Sequence, residues 1–329
     1  MTSAARVSIL IPCYNSASFI DRTLYFARGQ TYGDLTIRVS IDAGEDSTAQ
    51  IVRAHAARDP RIVVHEQPHR LGWAGNVNFL LGLVDTPYFF LYFHDDILLP
   101  QYTEIMLERL LSRPQAAGAY CDMGHFGDAS HVSTGPSYLG STVGRLLTLM
   151  LAPERGSPLR AMLRTELAGQ LRLPQMDTGG FWANEPFLMT MLVAGALEHV
   201  PEVLYLRWSN RSGGLTDGWK KLAPRETAHA WRANIQARLD ILFGATADPA
   251  EREALILALY LQTFPTLCEL RDERGNALFP TAASMHPLFD APGAVELLLP
   301  YGAGIEGWAR TRFDHCQMLR LQQCSEPAQ

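Results

Sequence analysis

Four short polar clusters carry side chains suited to holding a charged ligand. His94-Asp95-Asp96 follows the run Tyr88-Phe89-Phe90-Leu91-Tyr92-Phe93, and carboxylates emerging from so apolar a strand are costly to desolvate without a partner. A divalent cation is such a partner, because Mg2+ and Mn2+ take one or two carboxylates and complete their shell with phosphate oxygens. The competing use of Asp95 or Asp96 is to cap the helix that opens near Pro100-Gln101. Asp42 ends another strand-like run, where a carboxylate can accept the N–H of a uracil or thymine ring or simply close a turn with Gly44 and Ser47. Leu71-Gly72-Trp73-Ala74-Gly75-Asn76-Val77-Asn78 sets glycines and asparagines at a helix start, which lets a ligand approach the backbone closely. Pro12-Cys13-Tyr14-Asn15 supplies the fourth cluster. None of them carries the G-x-G-x-x-G fingerprint or a Walker lysine, so dinucleotide and P-loop readings are weak.

The elements that position these clusters alternate between short β-rich runs and helical patterns. Strands are predicted at Arg6 to Ile11, Leu35 to Ile41, Ile62 to His65, Tyr88 to Phe93 and Gly118 to Asp122. Helices are predicted from Asn15 or Ser16 to Arg28, and over Ser47 to Arg58, Gly72 to Leu83 and Gln101 to Ser112. That succession implies a doubly wound, mostly parallel sheet covered by helices. Ligands bind such a sheet at the carboxyl ends of its strands, which is where the polar clusters fall.

After about Gly124 the chain changes character. Residues 124 to 158 are rich in Gly, Ser, Thr and Pro around one helical stretch, Thr142 to Leu151, and long irregular connections are often functional. Phe181 to Val200 reads as a helix leading into a strand over Val203 to Arg207, and from about Leu222 the pattern is helical, clearest over Arg225 to Phe243 and Pro249 to Arg271. Asp248 with Pro249 forms a plausible helix start. Residues 1–220 are therefore expected to form the sheet domain, and 221–329 a helical extension.

Composition narrows the class. In 329 residues, 47% hydrophobic content against 19% charged content excludes disorder. Lys and Arg number 28 against 34 Asp and Glu, a net charge of −6 without a basic stripe, which argues against a nucleic-acid binder. The apolar stretch Met189 to Leu206 is interrupted by Glu198, His199 and Glu202, and Met1-Thr2-Ser3 leads straight into a strand-like segment. No membrane span or secretion signal is expected, and a cytoplasmic protein is the default. The five cysteines, Cys13, Cys121, Cys268, Cys316 and Cys324, lack Cys-x-x-Cys spacing and read as buried thiols.

Over about residues 6 to 216 the chain resembles the family 2 glycosyltransferases, the inverting group with a GT-A fold. Val7-Ser8-Ile9-Leu10-Ile11-Pro12-Cys13-Tyr14-Asn15 resembles that family's first strand, Asp42 its nucleobase-contacting aspartate, and Gly72 with Asn76 its glycine/asparagine helix. Asp95-Asp96 with Pro100 resembles its metal-binding D-x-D region. Asn184-Glu185, Leu188, Pro201-Glu202-Val203-Leu204-Tyr205 and Arg207 resemble its Glu-Asp segment and the strand that follows. Aligned on Pro100, the first Asp of D-x-D falls on Phe93, leaving Asp95 and Asp96 as the metal candidates. The downstream histidine of some relatives falls near Ser209 or Asn210 and is absent, as is the Q-x-x-R-W of processive synthases, so a single addition is favoured.

The resemblance implies transfer of one sugar from a UDP- or dTDP-sugar to an acceptor hydroxyl with inversion, with Mn2+ or Mg2+ as cofactor. Pro12, Tyr14, Asn15, Asp42, Gly72, Asn76, His94, Asp95 and Arg207 would bind the nucleotide-sugar, Asp95 and Asp96 the metal, and Glu185 would act as general base. Arg207 and Arg211, followed by Gly213-Gly214 and Thr216, could close a loop over the diphosphate. Trp182 could stack on an acceptor sugar, and His94, His125 and His131 could approach the metal. The expected acceptor is a glycan, a lipid-linked or a small molecule, with peripheral membrane association and homodimerisation through the C-terminal helices as further expectations. The alternatives are a non-catalytic nucleotide-sugar or glycan binder and a sugar nucleotidyltransferase.

Overall fold

The computed structural model describes residues 5–128, 130–167, 169–174, 180–209, 214–279 and 294–325. It opens with Val7–Cys13 (β1), Ile20–Arg28 (α1), Leu35–Ile41 (β2), Thr48–Ala56 (α2), Ile62–Glu66 (β3), Gly72–Leu81 (α3) and Tyr88–Leu91 (β4). Every residue of β1 and β4 is buried, which is why these strands read as continuous apolar runs: helices cover both faces of a parallel sheet. β1 pairs in parallel with β2 and β4, and β2 with β3.

The chain continues through Ile97–Leu98 (β5), Tyr102–Ser112 (α4), Gly118–Gly127 (β6), Val132–Ser133 (β7), Thr142–Leu151 (α5), Met162–Arg164 (β8), Asn184–Ala194 (α6) and Leu197–Ser209 (β9). The sheet order is β3-β2-β1-β4-β8-β6-β9-β5, with β7 beside β6. β8 is antiparallel to both β4 and β6, and β9 runs parallel to β6. Two reversals restore the direction, so β1, β2, β3, β4, β6 and β9 all end on one edge. The sheet is the mostly parallel, GT-A-like one expected, extended by antiparallel strands of two or three residues, too short to show a period in sequence.

Two boundaries differ from the sequence reading. The helix predicted over Phe181 to Val200 stops at Ala194, and Leu197 begins a strand of 13 residues. Pro201 decides this, because its ring would break a helix, and here it falls where the register jumps from Cys121↔Val200 to Asp122↔Val203, so its missing N–H leaves no gap in the ladder. The second difference concerns α5. The described fold divides into two compact units, Met1–Leu139 with Glu154–Asp217 and Gly140–Pro153 with Gly218–Gln329. α5, assigned from sequence to the sheet domain, belongs to the second unit. Seven of its ten residues are buried because it packs against Pro249–Leu267 and the long helix Ala303–Ser325, with Arg312 donating to the Leu151 carbonyl at 2.9 Å.

That second unit also contains Pro224–Ala245 (α8), which follows the short helix Leu215–Lys220 (α7); Pro249–Leu267 is α9 and Ala303–Ser325 is α10. Asp248 caps α9 as predicted, its side chain accepting the Glu251 N–H at 3.0 Å. Cys13, Cys121, Cys268 and Cys316 are buried; the side chain of Cys324 lies outside the described residues. No described helix is long and apolar enough to cross a membrane.

Candidate active site

The loops after β1 and β2 are laced together. Asn15 takes φ 44° and its Oδ1 accepts the Glu45 N–H at 3.1 Å, while Asp46 accepts from the Ala17 N–H at 2.8 Å and the Thr48 hydroxyl at 2.6 Å. Burial would raise the Asp46 carboxyl, but these hydrogen bonds hold it below its ordinary range. Beside this lacing the Arg70 guanidinium lies 4.0 Å from the centre of the half-buried Tyr14 ring. This planar pair was not expected from sequence, since an arginine preceding Leu71-Gly72 carries no motif of its own.

Asp42 is 2% exposed. Its carboxylate accepts the backbone N–H of Leu71 at 2.6 Å, of Gly72 at 2.9 Å and of Ala43 at 3.2 Å, so it holds the start of α3 against the end of β2. A carboxylate offers roughly four lone-pair sites, and three are used in this way. Asn76, expected to touch the nucleotide-sugar, is instead buried, its amide donating to the Ser40 carbonyl at 3.1 Å and the Cys13 carbonyl at 3.4 Å. It ties α3 to the ends of β1 and β2. Pro12 is likewise buried, and its carbonyl faces His94 Nδ1 at 3.2 Å.

Asp96, expected to hold the metal, is engaged by protein groups. The carboxylate is 1% exposed; Oδ2 accepts Arg160 Nη2 and the Tyr205 hydroxyl, each at 2.9 Å, and Oδ1 accepts the Trp208 N–H at 3.1 Å. Those bonds spend it on joining the β4 loop to β9. Arg160 also lies 4.9 Å from the centre of Phe93, the residue at the first D-x-D position. Asp95 remains as the half-buried carboxylate of the loop, with its backbone carbonyl held by Arg22 at 2.9 Å. Among the described residues no three His, Cys, Asp or Glu side chains form a metal cluster. The donor set still suits a hard cation, because Mg2+ and Mn2+ need only one or two carboxylates when phosphate oxygens supply more ligands.

Arg207 stands one residue before Trp208 on β9, opposite His125 of β6. Burial lowers its pKa and Arg160 adds to that, while Asp96 and Asp95 oppose it. Both ring nitrogens of His125 are engaged by serines: Nδ1 meets Ser209 Oγ at 2.6 Å and Nε2 meets Ser133 Oγ at 2.8 Å. Its ring stacks on His131 at 3.9 Å. Burial, then His131, Arg207 and Arg160, push His125 down to about 4. Arg211 and Gly213 lie outside the described residues.

Glu185 occupies the first turn of α6, is 6% exposed, and pairs with Arg155 at 3.1 Å. The approach to it is strained. Trp182 takes φ 49°, a left-handed conformation unusual for a bulky residue. Gly180 takes φ 73°, and a side chain there would meet the Trp73 indole at 2.2 Å; the indole N–H donates to the Gly180 carbonyl at 3.2 Å.

With this edge in view, residues 8–144 match the model of Glycosyl transferase family 2. This stretch is a family 2 glycosyltransferase domain. The chain is 28% identical over 147 residues to a chondroitin synthase of Pasteurella multocida, covering 44% of this chain and 15% of that protein. It is 32% identical over 92 residues to a processive diacylglycerol beta-glycosyltransferase of Mycoplasma pneumoniae, covering 27% of each. It thus spans only a small part of the curated relatives it matches. Among solved structures, residues 1–349 of S. aureus TarS in complex with UDP-GlcNAc share this fold, with a TM-score of 0.65 at 13% identity over 98% of this chain and 93% of that one. A Pyrobaculum calidifontis mannosyltransferase in complex with GDP-Man and Mn2+ gives a TM-score of 0.50 at 16% identity, over 99% and 89%.

Proposed function

We propose that this glycosyltransferase moves a single hexosyl group from a UDP- or dTDP-sugar to an acceptor hydroxyl with inversion, in the building of a glycan or glycoconjugate. What supports the reading most is that Tyr14 with Arg70, Asp42 and Asp95 follow the ends of β1, β2 and β4 in the stretch that matches the family, with Arg207 near the end of β9 and Glu185 in the first turn of α6. Tyr14 and Arg70 offer flat faces to a base, and the remaining lone pair of Asp42 suits the N–H of a pyrimidine ring. Pro12, Asn15, Gly72 and His94 shape the loops around it. Asp95 would hold Mn2+ or Mg2+ together with the diphosphate. When bound, the cation would neutralise charge on the leaving group.

Arg207 adds a fixed positive charge beside the same diphosphate, where charge builds as the sugar bond breaks. Glu185 takes the proton of the attacking hydroxyl. The new C–O bond forms at the anomeric carbon opposite the bond that breaks, whose electron pair leaves with the nucleoside diphosphate. The region 1–123 would carry the donor half and 124–220 the acceptor half, α5 excepted, and homodimerisation would use the C-terminal helices.

General-base contributions run at about 10² to 10⁴-fold, so Glu185→Gln is expected to bind UDP normally and to lose at least about a hundredfold in turnover. Titration calorimetry with UDP- and dTDP-sugars, with and without Mn2+, followed by NMR of the anomeric configuration of the product, tests the whole reading. A retained anomeric configuration, or binding without turnover across a broad acceptor panel, would overturn it, the latter in favour of a nucleotide-sugar-binding scaffold.

A further inference from the structure

A glutamate base reaches one methylene further than an aspartate and has one more torsion to fix, so its carboxylate needs something to aim it. In this structure Arg155 stands in that place. Its Nη1 lies 3.1 Å from Glu185 Oε2 and 3.4 Å from Oε1, so a single nitrogen spans both oxygens. The Glu185 side chain is 8% exposed and that of Arg155 32%, which makes the contact largely shielded from water without sealing it.

Arg155 lies on a connection that is neither helix nor strand, yet the connection is held at successive residues. The Tyr138 hydroxyl donates to the Arg155 carbonyl at 2.6 Å, and the Gly156 N–H donates to the Thr134 carbonyl at 2.8 Å. Gly156 takes φ 61°, and the Tyr120 ring fills the space where a side chain would begin, at 2.5 Å. Both tyrosines are buried, and Tyr120 is itself fastened by donating to the Pro136 carbonyl at 2.5 Å. Such fixation of an irregular segment is the kind of support a precisely aimed side chain requires.

We propose that Arg155 is a positioning residue for the base at Glu185, delivered by a strap that Tyr120 and Tyr138 pin in place. This rests on the reading of Glu185 as the base. The closer contact keeps Oε2 on the guanidinium and orients the carboxylate plane. Oε1, with the longer contact, receives the proton from the attacking hydroxyl as the sugar bond breaks and the nucleoside diphosphate leaves with the electron pair. Arg155 keeps its charge throughout and touches neither sugar nor diphosphate.

The test compares wild type with Glu185→Gln, Arg155→Ala, Arg155→Lys and Tyr138→Phe. The donor is the sugar nucleotide that wild type hydrolyses fastest from a panel of UDP-, dTDP- and GDP-hexoses, with water as acceptor; kcat and KM are measured together with the Kd for the matching nucleoside diphosphate. Misaiming a reacting group by about 1 Å costs on the order of a hundredfold, so Arg155→Ala is expected to lower kcat about ten- to a hundredfold with KM and Kd unchanged. Arg155→Lys should recover part of the loss, and Tyr138→Phe should fall between. Wild-type kcat in Arg155→Ala, or a Kd that weakens in step with kcat, overturns the proposal. Should Arg155→Ala not fold, wild-type kcat in both Arg155→Lys and Tyr138→Phe overturns it as well. A fully active Glu185→Gln, or a wild type that hydrolyses no donor in the panel, removes the base reading and this inference with it. An impaired Glu185→Gln beside a normal Arg155→Ala removes the inference alone.

Discussion

Asp95 and Asp96 are neighbours in sequence and differ in their surroundings. Asp96 holds β9 and Arg160 to the loop, and removing one partner of a buried ion pair typically costs about 3–5 kcal/mol. Asp96→Asn should therefore lower the midpoint of thermal unfolding markedly while leaving the effect of Mn2+ on UDP affinity intact in the folded fraction. Asp95→Asn should do the reverse, with near-normal melting and no strengthening of UDP binding by Mn2+; calorimetry on the two variants side by side checks both. Carboxylates after apolar strands were legible in the sequence because residue type and position already carry a desolvation argument. Their arginine partners were not. Arg160 meets Asp96 across 64 positions and Arg155 meets Glu185 across 30, and nothing local marks either arginine as different from the others. For the same reason two adjacent acids could be nominated together while only the fold could show that one is buried and the other half-buried.

The long parallel β6–β9 pair, closed on one side by the β6–β7 hairpin, sets Arg207 near the end of β9, opposite His125. His125 braces that end of the sheet through Ser209 and Ser133. Its pKa falls from 6.5 to about 4 in the fold, so between those values the unfolded chain binds a proton that the folded one refuses, and stability drops as pH drops. Above about 6.5 the effect vanishes. Replacing His125 with Gln, which can still bridge two hydroxyls, should flatten the dependence of the melting midpoint on pH between about 4 and 6.5; an unchanged slope would show that another group governs it. The alternating strands and helices before Gly124 were readable from periodicity and apolar runs. β9 was partly hidden, because its first residues continue the apolar run of α6 and only Pro201 signals the change of geometry. β5, β7 and β8 were not readable at all, since pairs of residues held by tertiary ladders carry no pattern of their own.

In the whole molecule, the match to the family ends at residue 144, inside α5, and α5 is packed within the helical unit. Its buried face includes Val143, Leu146, Leu147 and Met150. A chain ended at residue 217 would keep α5 and lose the α9 and α10 surfaces that cover it. Such a chain should elute as aggregates in size-exclusion chromatography, and replacing Leu146 and Leu147 with Gln in it should restore a monodisperse peak; a monodisperse truncated chain without those changes would contradict the packing described. The alternating and then helical patterns of the sequence suggested a sheet portion and a helical portion. They placed the division at one point in the chain, because a sequence is linear and a helix borrowed by the other unit leaves no seam in it. That borrowing also sets an order of events during synthesis. The sheet unit cannot close until β9 has been made, and α5 must wait for α9, which ends about 116 residues after Leu151. At about 5–20 residues per second that is on the order of 6–23 seconds, during which the nascent chain carries an uncovered apolar helix, even after the last strand of the sheet, β9, has been made. Ribosome-bound chaperones, or whatever else shields that helix in the interval, should therefore affect the yield of this protein more than its final stability.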